Sequence, residues 1–168
     1  GDLLDNAGIT IGATVTGGFT WDTDVADVNP NPGSARYLRP LTRFSYSVGS
    51  FSQSFDVAAG EENLSVGRVQ NDRDFGDLLE LSVSIDGGLP GQAQSLFAFV
   101  LQDGSADVWD SDALPSPLPP LAAFAPYQPG NFSSTGMFMI MLFNGNLVEV
   151  EAELQTVTRV PLPAGGLL

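Results

Sequence analysis

The strongest constraint on the fold of this chain is a side-chain period of two. In Leu79-Glu80-Leu81-Ser82-Val83-Ser84-Ile85 every odd position is apolar and every even one polar. Phe44, Tyr46 and Val48 alternate with Arg43, Ser45 and Ser47; Val148, Val150, Ala152 and Leu154 alternate with Glu149, Glu151, Glu153 and Gln155. Successive side chains of a strand point to opposite faces, so each segment has one dry face and one wet one. Wound as a helix, the same residues would scatter their apolar groups around the circumference and bury no common stripe. No stretch of similar length carries helical periodicity. A short helix fits at Leu118 to Phe124, but the surrounding prolines favour a loop.

Glycine and proline punctuate these runs, with 19 and 12 copies respectively. Strands are predicted at Ile9 to Thr16, Thr42 to Val48, Ser52 to Val57, Leu64 to Val69 and Leu79 to Ile85. Later ones are predicted at Ser95 to Gln102, Gly136 to Phe143 and Leu147 to Val157. About eight antiparallel strands imply an all-β sandwich, jelly-roll-like in strand count. Asn144-Gly145 supplies a type I′ turn between the last two. Residues 114 to 129, LPSPLPPLAAFAPYQP, read as a stiff crossing over the sandwich. At 168 residues a single domain is expected.

Charge and composition exclude several functions. The net charge is -14, and all six basic residues are arginine. Nucleic acid is not an expected partner, because phosphate recognition depends on clustered Lys and Arg. The chain lacks Cys, His and Lys, which removes thiolate metal sites and the usual nucleophile–base pairs. A two-carboxylate glycosidase remains formally open, but among 20 acidic residues some pair at the right spacing arises by chance. No catalytic activity is expected.

Three features invite a binding role. Asp22, Asp24, Asp27, Asn29 and Asn31 concentrate oxygen donors in one loop, a density that hard cations such as calcium use. Their spacing is not that of an EF-hand, and Asp or Asn before Pro also builds Asx-turns without metal. Two further acidic segments, Asn71 to Asp77 and Asp107 to Pro115, either join a cation site or form solvated turns. Trp21, Tyr37, Trp109, Tyr127 and Phe132 lie in or beside loops, where an aromatic face stacks on a sugar or plugs the core. The segment from Met137 to Phe143 is apolar on both faces. Either it is a central strand covered by the proline-rich loop, or Met137, Met139, Met141 and Phe143 form a self-association surface.

The chain ends in Val160-Pro161-Leu162-Pro163-Ala164 and then Gly165-Gly166-Leu167-Leu168. This tail resembles the sorting signal of bacterial PEP-CTERM proteins in its VPLPA variant. The segment GGFTWDTDVADVNPNPGSARYLRPLTRFSYSVGSF, residues 17 to 51, and SDALP at 111 to 115 are similar to a recurrent ectodomain of that family. The resemblance implies an exported protein at the cell envelope surface or in the extracellular matrix, processed by an exosortase-type protease. It divides the chain into a β-sandwich ectodomain, residues 1–158, and a sorting segment, residues 159–168. A transmembrane helix would follow, since a span needs about 20 apolar residues and Leu167 and Leu168 begin such a run. That helix is the expected membrane contact.

The expected function is therefore a surface or matrix protein, associated with exopolysaccharide or biofilm, with a structural or binding role. The alternatives are a calcium-dependent carbohydrate-binding module and a subunit of an extracellular filament or lattice.

Overall fold

The computed structural model describes residues 9–29, 31–60, 64–72, 76–86, 92–105, 107–131, 134–143 and 146–157. Nine strands are β1 Val15–Trp21, β2 Ser34–Leu38, β3 Leu41–Val48, β4 Phe51–Asp56, β5 Ser65–Asp72, β6 Gly76–Asp86, β7 Gln92–Asp103, β8 Gly136–Phe143 and β9 Asn146–Ala152. They form two antiparallel sheets, a three-stranded one ordered β1-β3-β4 and a six-stranded one ordered β2-β5-β6-β7-β8-β9. The all-β sandwich implied by the period of two is the fold observed.

The alternation is realised residue by residue. Leu79, Leu81 and Val83 of β6 face inward, in register with Leu101, Phe99 and Phe97 of β7, and all six are buried. Phe44, Tyr46 and Val48 supply the facing layer from β3. Aromatic rings join the sheets: the Phe97 centroid lies 4.5 Å from Phe44 and 4.9 Å from Tyr46, and Phe19 lies 4.8 Å from Phe99. One polar tie crosses this layer. The Tyr46 and Ser95 hydroxyls both donate to Gln53 Oε1, at 2.7 and 2.8 Å. Burial pushes the Tyr46 phenol well above its ordinary value.

The chain changes sheets between β2 and β3. Arg39 takes a left-handed conformation (φ 62°), Pro40 is buried behind it, and Ser65 secures the corner. Its carbonyl accepts from Arg39 N at 2.8 Å and its hydroxyl accepts from Leu41 N at 3.1 Å.

Three strands depart from expectation. The first strand begins at Val15 rather than Ile9 and runs through Gly17 and Gly18. A Cβ at Gly17 would strike the Ser45 carbonyl of β3, so close pairing there requires glycine. Strand β2 was not expected, because only Ala35 and Tyr37 mark its inward face over five residues. Strand β9 ends at Ala152, short of the predicted Val157.

Strand β8 lies between β7 and β9, so it is not an edge. Met137 and Met139 point into the sandwich, in register with Phe99 and Phe97, and Met139 is buried. Of the two readings of this strand, the position between β7 and β9 fits the covered central strand, and the inward Met139 is not open to a partner. Met141 and Phe143 take backbone positions in β8, and their side chains lie outside the described residues. On the outward face Phe138 is only 3% exposed whereas Leu142 is 43% exposed.

The segment between β7 and β8 straps over this outer face. Ala125 N donates to the Gln102 carbonyl at 2.7 Å. Glu151 Oε2 accepts from the Tyr127 hydroxyl at 2.6 Å and from Gly130 N at 2.9 Å. Together they hold the strap beside Phe138 and Val100, its buried neighbours on the outer face. The expected proline-rich crossing thus covers half of β8, with a short 3-10 turn at Leu121–Ala123 as its one helical element among the described residues.

Two outcomes follow. Phe97→Ala removes the ring at the centre of the inter-sheet layer and lowers unfolding free energy by about 3–5 kcal/mol in denaturant melts. Leu96→Ala, on the exposed side of the same strand, changes it by about 0.5 kcal/mol or less; equal losses would contradict this packing. The strap reads out in pH. The Tyr127 hydroxyl, and then the Gly130 N–H, hold the Glu151 carboxyl below its ordinary range, and the same carboxylate is the main cause pushing Tyr127 up to about 12. A depressed carboxyl contributes stability above its unfolded pKa, about 4.3 for Glu, and loses it as pH falls through the folded value. The latch is therefore closed at neutral pH and opens in acid. Glu151→Gln brings the Tyr127 titration down toward about 10, measured by absorbance against Tyr127→Phe; an unmoved titration would rule out the latch.

Candidate functional site

The donor-rich loop is self-satisfied. Asp22 Oδ1 accepts from Asp24 N at 2.8 Å, Asp27 Oδ1 from Asn29 N at 2.8 Å, and Asn29 Oδ1 from Asn31 N at 3.3 Å. These are three successive Asx-turns, the conformation that short polar side chains favour before proline. Asp27 Oδ1 also accepts from Arg36 N at 2.8 Å, and Val28 N donates to the Arg36 carbonyl at 2.9 Å. The loop is stitched along β2. Of the five candidate cation ligands, Asp22, Asp24, Asp27, Asn29 and Asn31, the three aspartates do not gather into a metal site: no group of three His, Cys, Asp or Glu side chains among the described residues could hold a metal ion.

The stitching instead forms one wall of a hollow on the outer face of the six-stranded sheet. Asn29, Ser34, Ala35, Arg36, Val66, Arg68 and Glu80 line about 400 Å³, within the range of small-ligand sites. Asn29 is held in place by its amide, which donates to the Ser34 carbonyl at 2.6 Å. The floor is a single cross-strand row: Arg36 of β2 pairs with Arg68 of β5, and Arg68 pairs with Glu80 of β6. Residues directly opposite in an antiparallel pair have Cβ atoms about 5 Å apart, and like charges in that position repel. Both arginines are exposed. Arg68 Nη2 donates to Gln70 Oε1 at 3.0 Å, and among the described residues neither guanidinium forms an ion pair.

The two remaining acidic segments do meet, but through the backbone. Asp77 is the second residue of β6 and fully buried; its Oδ2 accepts from Val108 N at 2.7 Å and Trp109 N at 2.9 Å. One carboxylate thus pins the 107–115 segment over an end of the core. Asp77 Oδ1 and Trp109 Nε1 have no hydrogen-bond partner among the described residues. Trp109 stacks against Phe124 at 5.3 Å and is buried, Tyr37 is buried with its hydroxyl donated to the Asp112 carbonyl at 2.9 Å, and Trp21 is half-buried against Phe19. Tyr37 and Trp109 therefore plug the core, and Trp21 packs against it. Tyr127 belongs to the strap. Phe132 and the tail residues Val160, Pro161, Leu162, Pro163 and Ala164 lie outside the described residues.

Sequence reasoning missed the hollow because its arginines become neighbours only through strand register. Their one advance signal was scarcity, with six basic residues in an acidic chain.

No family model matches the chain, and neither a curated protein nor a solved structure matches it.

Asp27 gives the direct test of the loop. Asp27→Ala leaves the Asn29 and Arg36 amides without their acceptor and costs about 1–2 kcal/mol of stability, by the same amount with and without added calcium. A loss seen only in the presence of calcium would mean that metal, not Asx-turns, holds the loop.

Proposed function

We propose that the chain is a non-catalytic binding module of an exported bacterial protein, held at the cell envelope or in the extracellular matrix, and that the hollow on its six-stranded sheet takes a polysaccharide. The address rests on the resemblance of residues 160–164 to a sorting motif, with an exosortase-type protease as the processing partner. The binding role rests on the hollow, and one observation carries it. In a chain with 20 acidic residues and six arginines, two arginines stand together in a concavity with amide, hydroxyl and carboxylate groups around them. Such a mixture suits a ligand rich in hydroxyls. Catalysis is not part of the reading: among the described residues Glu80 is the one acid lining the hollow, and a glycosidase needs two carboxylates flanking the bond.

A second reading, self-assembly into a lattice, draws support from a separate place. Leu142 and Leu147 pair directly on the outward face, and Leu96 lies on the same face; all three are exposed. An apolar cluster of this kind favours association between copies. It would engage Leu96, Leu142 and Leu147, not the methionines.

Val66→Trp fills the hollow without touching the core. In co-sedimentation with extracted bacterial exopolysaccharide, the expected result is retention of the unaltered chain and about tenfold weaker retention of the variant, with melting temperature preserved. Equal retention of both would place binding on another face.

A further inference from the structure

We propose that the hollow recognises a carboxylate on the saccharide, so that its ligand is a uronate unit of an acidic polysaccharide, clamped between the guanidinium groups of Arg36 and Arg68. This rests on the binding role proposed above and specifies its ligand class.

The chain places two like charges directly opposite each other, an arrangement that costs stability and that a sheet ordinarily avoids. Neither is neutralised by an ion pair among the described residues, although acidic side chains outnumber basic ones more than threefold. By contrast Arg43, elsewhere on the surface, sits across from Asp56 at 3.8 Å. Guanidinium groups are planar forks that match carboxylate oxygens two at a time, and a carboxylate between the two would turn their repulsion into attraction.

The surrounding groups narrow the class. Asn29 and Ser34 provide amide and hydroxyl groups, and Glu80 an acceptor, on the margin of the arginine pair. One anionic group flanked by hydroxyls satisfies all of them, and a hexuronate has that pattern. Glu80 would repel a second nearby anionic group. A densely charged polyanion is further disfavoured by the net charge of -14. Nucleic acid carries a charge about every 1.7 Å of duplex axis, too dense for a site with one negative wall. Among the described residues no aromatic ring lines the hollow, so none of them offers a stacking platform there.

The test is calorimetric titration of the whole chain with a uronic-acid tetramer, a neutral hexose tetramer and inorganic phosphate. The expected result is binding of the uronate alone, weakening as salt rises. Arg36→Gln and Arg68→Gln should each reduce affinity about tenfold or more, while Arg43→Gln leaves it unchanged. Removing Arg36 should also leave melting temperature equal or raised, because its repulsion with Arg68 is relieved while Arg68 keeps Glu80 across from it; a merely structural Arg36 would lower it. Equal affinity for the neutral tetramer would overturn the carboxylate clamp while leaving the hollow as a saccharide site. Phosphate binding as tightly as uronate would overturn the saccharide class, and uronate binding indifferent to both arginine changes would overturn the site. No heat with any of the three refutes the inference, and retention on exopolysaccharide by the Val66-dependent assay then decides separately whether the binding role survives.

Discussion

The aromatic layer centred on Phe97 is the constraint from which the rest of this structure follows. A three-stranded sheet has to hold a six-stranded one, and it does so with Phe44, Tyr46 and Phe19 set against Phe97 and Phe99. Burial of aromatic surface is the large favourable contribution available to a chain of this composition. It also fixes which side of every strand is inside. Once Phe97 faces inward, the register assigns Met139 inward and Phe138 outward, and sends Arg36, Arg68 and Glu80 to the outer face. A slip of one residue would exchange those sets entirely.

The outer face of the larger sheet is then divided among three uses. The strap, latched by Glu151, keeps Val100 and Phe138 out of water. Leu96, Leu142 and Leu147 remain open at one side. The hollow occupies the strands farthest from β9, where the Asx-turns of the 22–31 loop build a polar wall. Of the short carboxylates and amides expected to suit a cation, Asp22, Asp27 and Asn29 engage Oδ1 with backbone N–H groups, and Asn29 stands beside the arginine pair on the margin of the hollow.

How far these features could be read from the chain depends on whether their cause is local. Strands β3, β6 and β9 announce themselves because alternation is a property of neighbouring residues. Strand β2 hides because Ser34 to Leu38 is short and its pairing partner, β5, is distant in sequence. Strand β1 hides because Gly17 answers to the Ser45 backbone, which only the folded sheet brings near. Asp77 looks like a loop acid beside Arg73 and Asp74, but the folded chain buries it under the Trp109 amide. The hollow is the extreme case, since nothing local distinguishes Arg36 or Arg68 and their meaning arises from facing each other. The proline pattern of residues 160–164 is the reverse, a short linear feature legible in sequence alone.

A binding surface gains from this arrangement, since a ligand on the outer face leaves the aromatic core undisturbed. The most direct measurement of the central claim is a nuclear magnetic resonance footprint of an oligouronate on the isotopically labelled chain. The account predicts shift changes concentrated at Asn29, Ser34, Arg36, Val66, Arg68 and Glu80, with the Arg36 and Arg68 side-chain signals moving most. Changes centred instead on Leu96, Leu142 and Leu147, or an unperturbed spectrum at saturating oligouronate, would contradict it.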